Sequence, residues 1–263
     1  MNPRLTTPGF VSFLGAGPGA ADLLTLRAAR RIAEADVVIW ASSLVQAEAI
    51  AGARPDAEVL DSSTLTLEDV CAVYDRAVAQ GLRVARVHSG DPALYGAIGE
   101  QIEECEARGL AWEIVPGVSS LGAAAAALGR ELTVPEIAQS VVLTRLPTAT
   151  PMPANEQVRD FARHQTTMAL FLSAKRGRRL QEELLAGGYP PETPCAVVYR
   201  ATWPDQALYR CRLDQLAATL RDAKLHRHTL VLIGPALEAG GTRSHLYDPA
   251  HAHAFRAATP ASG

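Results

Sequence analysis

Short apolar segments alternate with longer amphipathic segments along most of the chain. A short apolar run bounded by glycine or polar residues is typical of a buried strand, whereas apolar residues spaced three or four apart indicate a helix. Strands are predicted at 10–14, 36–40, 83–88, 112–115, 141–144, 167–172, 195–199, 207–211 and 229–233, and helices at 23–33, 67–80, 96–108, 119–128, 155–164, 178–186 and 213–223. This alternation favours an α/β fold with a mostly parallel sheet covered on both faces.

Local signals mark where several predicted helices begin and end. Asp22 can cap the first helix, and the segment from Thr66 to Asp69 has the pattern of a capping box before the second. Gly81 follows the second helix and predicts its end, because glycine readily adopts the left-handed conformation found there.

A proline-rich segment predicts a division into two domains. Pro147, Pro151 and Pro153 lie within seven residues, so the segment cannot be helical and is expected to be a stiff linker. The predicted parts are a first α/β domain (1–146), the linker (147–154), a second α/β domain (155–240) and a tail (241–263). Two α/β domains favour a ligand cleft between them.

Composition narrows the class of protein. The chain has 263 residues, 48% of them hydrophobic and 20% charged, which is a globular balance and excludes global disorder. The net charge of −3 provides no basic field, so neither nucleic acid nor an anionic membrane is an expected partner. No uninterrupted apolar run is long enough to span a membrane, and the N-terminal residues do not resemble a secretory signal.

The cysteine and histidine positions predict no metal centre. The four cysteines form no C-x-x-C pair, so reduced thiols and a cytoplasmic location are expected. His226 with His228, and His251 with His253, have a spacing that could chelate a metal, but a solvated loop and a frayed tail are the favoured interpretations.

Three loops at the ends of predicted strands carry the candidate chemistry. The first, Gly15–Ala20, fits a loose dinucleotide-binding pattern, but it fits a tight turn equally well. Pro18 lacks the N–H that a pyrophosphate would need. Asp36 lies at the start of the second strand, whereas a ribose-binding acid should follow that strand. Both features disfavour a nicotinamide cofactor.

The second loop, His88–Gly96, places the Asp91 carboxylate after a strand, where it can contact a ligand or cap the next helix. The third loop, Val115–Gly122, contains two serines that can do either as well. The carboxyl ends of parallel strands lie at one edge of a sheet, so all three loops are expected to converge there.

Together, the motifs Gly15-x-Gly17-Pro18-Gly19, Gly90-Asp91-Pro92 and Pro116-Gly117-Val118-Ser119-Ser120 resemble the tetrapyrrole methylase family in order and spacing. The resemblance extends from about Phe10 to Pro235. Two shorter stretches, 42–45 and 131–145, are similar to a branch of the family that acts in cobalamin synthesis.

The resemblance implies two unequal α/β domains, with a mostly parallel sheet in the first, a mixed sheet in the second and the cofactor S-adenosylmethionine between them. It implies a homodimer and, as the second product, S-adenosylhomocysteine. By resemblance, the cofactor contacts are Pro18, Ser89, Gly90, Asp91, Leu94, Ser119, Ser120, Leu172, Ala201 and Thr229. Leu172 departs from the methionine found in many members, which matters little if the contact is made by the backbone.

The implied acceptor is an anionic tetrapyrrole, whose carboxylates suit arginine forks. Candidate substrate contacts are Ser42, Ser43, Arg86, Arg130 and Arg145, although each arginine could equally be a solvated surface residue. No catalytic residue is assigned. The alternatives left open are another tetrapyrrole acceptor, an RNA or modified-histidine acceptor as in distant members, and a nicotinamide-binding oxidoreductase or non-catalytic nucleotide-binding module.

Overall fold

A computed structural model of the chain describes residues 9–238 together with 240, 244, 248, 251, 252 and 254–257. The described residues form two compact units. The first contains the chain up to Ala124 together with Arg200–Gln206, and the second contains Ala125–Tyr199 and the residues from Ala207 onward.

The first unit is built on a parallel five-stranded sheet in the order β3-β2-β4-β1-β5. Its elements are β1 (Phe10–Gly15), α1 (Leu26–Glu34), β2 (Val37–Trp40), β3 (Glu58–Asp61), α2 (Leu67–Gln80), β4 (Arg83–His88), α3 (Gly99–Ala107), β5 (Ala111–Val115) and α4 (Ser120–Leu128). The boundary between the two units falls within α4, after Ala124. The predicted parallel sheet is confirmed. Strand β3 was not predicted, because its four residues lie at a sheet edge and none of them is buried.

Both faces of the sheet are covered at its inner strands, which explains why β1 and β2 are nearly continuous apolar runs. Leu14 and Val87 pack with Ile32 of α1 on one face. Phe13 packs with Tyr74 of α2 and Cys105 of α3 on the other. Alternate side chains of a strand point to opposite faces, so a doubly covered strand needs apolar residues at successive positions.

The helix-end predictions had mixed outcomes. The capping box of α2 is confirmed, since the Thr66 hydroxyl accepts a bond from the Asp69 N–H and the Asp69 carboxylate accepts one from the Thr66 N–H. Gly81 ends α2 in the left-handed conformation, with φ of 67°. The assignment of Asp22 as the cap of α1 was wrong: Asp22 lies in a separate short 3-10 turn, and the Thr25 hydroxyl caps α1.

The second unit contains a mixed five-stranded sheet in the order β6-β7-β10-β8-β9. Its elements are β6 (Val141–Arg145), α5 (Val158–Ala162), β7 (Thr167–Phe171), α6 (Gly177–Ala186), β8 (Pro194–Tyr199), β9 (Ala207–Arg212), α7 (Leu216–Asp222) and β10 (Thr229–Ile233). Strands β6 and β7 are parallel, whereas the other neighbouring pairs are antiparallel. The mixed sheet implied for the second domain is confirmed.

The position of β6 corrects the domain organisation expected from the prolines. Residues 141–145 pair with β7, for example Leu143 with Ala169, and do not close the first sheet. The proline-rich segment is therefore a loop inside the second unit, within the crossover from β6 through α5 to β7. Parallel neighbours require such a crossover, so a stiff loop there is compatible with one continuous sheet.

Arg145 stabilises the proline-rich loop. Its guanidinium donates hydrogen bonds to the carbonyl oxygens of Leu146 (3.2 Å), Thr150 (3.2 Å) and Pro151 (3.3 Å). Proline removes backbone donors from a loop, so carbonyl groups that lack a backbone partner can be satisfied by a side chain. Among the described residues, no helix is long and apolar enough to cross a membrane.

Candidate ligand-binding site

The three loops predicted to converge do lie side by side, because β4, β1 and β5 are neighbours in the first sheet. The loops after β1 and β4 are joined by a pair of backbone hydrogen bonds, from Gly17 N to Gly90 O (3.2 Å) and from Gly90 N to Gly17 O (2.7 Å). Both glycines have positive φ, at 76° and 64° respectively. L-residues rarely adopt this conformation, so glycine is favoured at both positions.

A third contact brings in the loop after β5, and it depends on the absence of side chains. A Cβ atom on Gly117 would lie 2.1 Å from Gly90 O and 2.6 Å from Gly15 Cα. A Cβ atom on Gly15 would lie 2.4 Å from Gly117 Cα. The three loops can therefore touch only as bare backbone. We call Gly15, Gly90 and Gly117 the glycine junction.

Asp91 joins two of these loops through both of its carboxylate oxygens. Oδ1 accepts a hydrogen bond from Ala93 N (2.8 Å), and Oδ2 accepts one from Gly117 N (3.0 Å). The first bond stabilises the turn after β4, and the second holds the loop after β5 against it. The structure thus gives Asp91 a positioning role, and its proposed contact with a cofactor stays a prediction.

The segment 200–206 supports the first loop. Trp203 Nε1 donates a hydrogen bond to Pro18 O (3.0 Å), and Ala20 N donates one to the Thr202 hydroxyl (2.9 Å). The Arg200 guanidinium lies 4.9 Å from the centre of the Trp203 ring, a cation–π distance. Sequence reasoning missed these contacts, since Trp203 is 185 residues from Pro18.

These contacts correct the placement of one predicted cofactor residue. Ala201 was expected to complete the adenine side from the second domain, but it lies in the segment 200–206 that groups with the first unit. Ala201 is buried, with 8% of its surface exposed. The residues on either side of it, Arg200 and Thr202, have positive backbone φ angles of 46° and 68°. Such strained backbone is common at ligand sites.

We expect Trp203→Phe to weaken the support of the first loop without unfolding the protein. The phenyl ring preserves the stacking partner of Arg200 but removes the donor to Pro18 O, a loss of about 1 kcal/mol for a neutral hydrogen bond. The expected result is a threefold to tenfold weaker binding of S-adenosylhomocysteine, measured by calorimetry. Trp112→Phe, on β5, serves as the tryptophan control. Equal losses in both variants would contradict the role given to the Pro18 contact.

The two remaining predicted adenosine contacts lie in the second unit. Leu172 follows β7 with φ of 52° and 63% of its surface exposed, an unusual state for leucine. The buried Ser173 hydroxyl fixes this turn, donating to Phe171 O (2.7 Å) and accepting from Leu146 N (2.8 Å). Thr229 begins β10, opposite Tyr199 of β8.

The predicted cofactor residues of the first unit differ in how far they are exposed to solvent. Ser89 and Leu94 are exposed, whereas Pro18, Ser119 and Ser120 are partly buried. The Ser119 hydroxyl accepts a bond from Leu121 N (3.2 Å), which confirms that it caps α4. Ser120 N lies 3.9 Å from the position that a Cβ of Gly90 would occupy, so this serine borders the glycine junction.

The predicted substrate contacts have different environments. Ser42 is exposed and donates both its N–H and its hydroxyl to Asp61, which lowers the pKa of that carboxyl, chiefly through the hydroxyl hydrogen bond. Ser43 beside it is also exposed. The Arg145 guanidinium donates hydrogen bonds to the proline-rich loop. Arg130 lies just after α4 and is partly buried, and its backbone N–H donates to Ala125 O.

Arg86 differs from these because it lies in a partly buried polar network. Its Nε donates to Gln101 Oε1 (3.0 Å), which also accepts a bond from the Tyr74 hydroxyl (3.3 Å). Its Nη1 donates to the Ser62 hydroxyl (3.3 Å). His88, two residues further along β4, is buried, and desolvation together with the Arg86 charge lowers its pKa to about 3. Sequence reasoning singled out Arg86 but not His88.

The other residues considered as candidate functional groups, and the one cavity described, lie away from the three loops. Asp36 lies at the amino end of β2, where its carboxylate accepts bonds from Arg54 and from the Arg83 N–H. A cavity of about 220 Å³ also lies at the amino ends of β1 and β4, against Phe10 and Arg31. Within the described residues the four cysteines are free, and no group of three or more His, Cys, Asp or Glu side chains could hold a metal. His253 lies outside the described residues.

An open parallel sheet with a backbone junction at its carboxyl edge defines an α/β ligand-binding protein of the kind that receives small molecules at strand ends. Comparison with known proteins identifies the family. The model of the tetrapyrrole (corrin/porphyrin) methylases matches residues 11–217. The chain belongs to this family, which confirms the resemblance seen in its sequence motifs.

Individual relatives are similar over nearly their whole length. The chain is 43% identical over 247 residues to the cobalt-precorrin-4 C(11)-methyltransferase of Methanocaldococcus jannaschii, covering 94% of this chain and 95% of the relative. It is 46% identical over 242 residues to the precorrin-4 C(11)-methyltransferase of Mycobacterium tuberculosis, covering 91% and 96%.

Solved structures agree with this assignment. A cobalt precorrin-4 methyltransferase matches with a TM-score of 0.85 and 41% identity, over 88% of this chain and 96% of that one. A uroporphyrin-III C-methyltransferase from Thermus thermophilus, solved with S-adenosylhomocysteine, matches with a TM-score of 0.74 and 28% identity, over 89% and 96%.

Proposed function

We propose that the chain is an S-adenosylmethionine-dependent methyltransferase that methylates precorrin-4 at ring carbon 11 during cobalamin biosynthesis. The observation that carries the proposal is the identity of 42–46% over at least nine-tenths of the chain to proteins named for this reaction. The close packing of three loops at the glycine junction supports the proposal, because such a reaction needs its two substrates to be held in a fixed geometry.

The residues present fit the proposed cofactor. The glycine junction is a close backbone contact that a single Cβ atom would break, so it fixes how the three loops present their groups to a ligand at this end of the sheet. Pro18, Ser89, Gly90, Asp91, Leu94, Ser119, Ser120 and Ala201 are the proposed contacts in the first unit. Leu172 and Thr229, in the second unit, are proposed on the resemblance to the family alone. When bound, S-adenosylmethionine supplies a methyl group activated by a positively charged sulfur.

The protein's own contribution is to position two molecules. Methyl transfer to a nucleophilic ring carbon is an in-line displacement and requires no covalent bond to the chain. Holding the reacting atoms in near-attack geometry can account for about 7–11 kcal/mol of the barrier. Because the hydrogen bonds of Asp91 and Trp203 fix the loops, the geometry is set before the substrates bind.

A nicotinamide cofactor is disfavoured by two structural features. Pro18 has no backbone N–H that could donate a hydrogen bond to a pyrophosphate. Its carbonyl oxygen accepts the hydrogen bond from Trp203. Asp36 lies at the amino end of β2, whereas the loops lie at the carboxyl ends of the strands. Its carboxylate accepts hydrogen bonds from the Arg54 guanidinium and from the Arg83 N–H.

Two experiments test the proposal. Calorimetry should show binding of S-adenosylhomocysteine and none of NADH, and binding of NADH alone would exclude the proposed chemistry. Mass spectrometry and NMR of the product from precorrin-4 and methyl-labelled cofactor should place the label on carbon 11. Cobalt-precorrin-4 should be assayed in parallel, since the names of the relatives include both acceptors.

A second candidate is methylation of another tetrapyrrole, such as uroporphyrinogen III. The observation that favours it is the match to a uroporphyrin-III C-methyltransferase with a TM-score of 0.74. Turnover of uroporphyrinogen III with no turnover of either precorrin-4 form would select this alternative.

The proposal extends to a homodimer in the cytoplasm, on the resemblance to the family. Sedimentation equilibrium at micromolar concentration would test the assembly, with a mass of twice 27.9 kDa expected. A single-chain mass would exclude the dimer and leave the proposed reaction unaffected.

A further inference from the structure

Arg86 is a partly buried charge that has no acidic partner within the part of the chain that the structure describes. Its three described hydrogen bonds go to neutral acceptors, namely Gln101 Oε1 (3.0 Å), the Ser62 hydroxyl (3.3 Å) and Val87 O (3.4 Å). Within the described residues it forms no ion pair with a carboxylate. By contrast, most arginines of the first unit are paired with acids, including Arg31, Arg54, Arg76, Arg83 and Arg108.

His88 adds a second unusual feature at the same place. The residue is 9% exposed, and its Nε2 atom has no hydrogen-bond partner among the described residues. Residues two apart on a strand point to the same face, so His88 and Arg86 lie on one side of β4, toward its carboxyl end. Buried polar atoms almost always have partners, and an orphaned one calls for an explanation.

The surrounding side chains hold Arg86 in place. Gln101 Oε1 accepts from both Arg86 and the Tyr74 hydroxyl, while Gln101 Nε2 donates to Ala97 O (3.0 Å). The guanidinium is therefore fixed by neutral groups that orient it without cancelling its charge. Burial of this charge costs free energy, which an anionic ligand would offset.

The hydrogen-bond donors of Arg86 and His88 indicate which class of ligand would bind there. The Arg86 Nη2 atom donates to none of the described residues, and a guanidinium binds a planar carboxylate through parallel N–H donors. A neutral imidazole can donate from Nε2 to the same group. The two side chains provide donors and positive charge, which suits a carboxylate and disfavours a cation.

We propose that Arg86 and His88 form a carboxylate-binding site at the carboxyl end of β4, next to the glycine junction. The inference rests on the proposed function, which provides two sources of a carboxylate: a side chain of the tetrapyrrole and the amino-acid end of the cofactor. The partial exposure of Arg86 leaves it open to a ligand.

The test compares Arg86→Gln with Arg83→Gln, its matched control. Arg83 lies on the same strand at its amino end and is paired with Glu34. Three probes are titrated: uroporphyrin III, a stable porphyrin with carboxylate side chains; S-adenosylhomocysteine; and methylthioadenosine, which lacks the amino-acid carboxylate.

A tenfold weaker binding of the porphyrin by Arg86→Gln alone would assign the site to the substrate. A tenfold weaker binding of S-adenosylhomocysteine, with methylthioadenosine unchanged, would assign it to the cofactor. Unchanged binding of both carboxylate ligands would overturn the inference while leaving the proposed function intact. If the wild-type protein bound neither ligand, the proposed function would fail, and the inference with it.

A second measurement uses the wild-type protein and so does not depend on the folding of a variant. The imidazole ¹⁵N signals of His88, assigned with His88→Gln, should shift when the porphyrin or S-adenosylhomocysteine is added. The amide derivative of the porphyrin and methylthioadenosine should leave these signals in place. Signals that do not respond to either carboxylate ligand would overturn the assignment of His88.

Discussion

Gly117→Ala is expected to lower the affinity for S-adenosylhomocysteine and the rate of methyl transfer by at least a hundredfold. The added Cβ would lie 2.1 Å from Gly90 O and 2.6 Å from Gly15 Cα, and both of these are backbone atoms. The loops after β1, β4 and β5 would have to separate, because backbone cannot move aside as the end of a long side chain can. A displacement of about 1 Å at a catalytic site can cost a hundredfold in rate.

The chain offers a matched control for this variant. Gly122 lies five positions later in α4, and a Cβ there meets nothing within 4 Å. Gly122→Ala should retain full affinity and add about 0.5–1 kcal/mol to the free energy of unfolding, as expected for this change inside a helix. Calorimetry and urea unfolding of the two variants provide the comparison. Normal cofactor affinity in a folded Gly117→Ala protein would show that the glycine junction does not set the geometry of the binding loops.

The sequence predicted those parts of the fold that depend on neighbouring positions. Alternating apolar runs and amphipathic segments are sufficient for the inner strands of the first unit's parallel sheet, because burial on both faces leaves a direct pattern in their sequences. The capping box at Thr66 is equally local. The convergence of the three loops was predictable too, since parallel strands place their carboxyl ends at one edge.

The features that were missed depend on partners distant in sequence or on weak local patterns. The apolar run of β6 shows a buried strand but not its neighbour, so its pairing with β7 was not predicted. Trp203 and Pro18 are 185 residues apart, and only the folded chain brings them together. Among the described residues Arg86 has no acidic partner, and the sequence could not predict this, because it depends on which side chains surround Arg86 in space.

Asp91→Ala is expected to weaken binding of S-adenosylhomocysteine about thirtyfold or more. The substitution removes the acceptor of two backbone donors, Ala93 N and Gly117 N. The exposed Ala93 N–H can bond to water instead, but Gly117 N is partly buried. A donor left there without a partner costs up to about 1–3 kcal/mol, and the loop after β5 can avoid that cost only by moving into solvent, which separates it from the turn after β4. The loss should appear mainly as reduced ligand affinity, because Asp91 lies at the loop edge of the sheet and outside the two apolar cores of the first unit.

Asp91→Asn distinguishes this positioning role from a charge contact with the cofactor. The amide preserves the shape of the side chain and one carbonyl acceptor, so one of the two loop bonds can remain. If Asp91 acts by holding Gly117 N and Ala93 N, the asparagine variant should bind S-adenosylhomocysteine with an affinity between those of Asp91→Ala and the wild type. Asp56→Ala, an exposed loop carboxylate paired with Arg54, is the control and should bind normally. An asparagine variant as weak as the alanine variant would show that the negative charge matters, and the role of Asp91 would then be direct contact with the ligand.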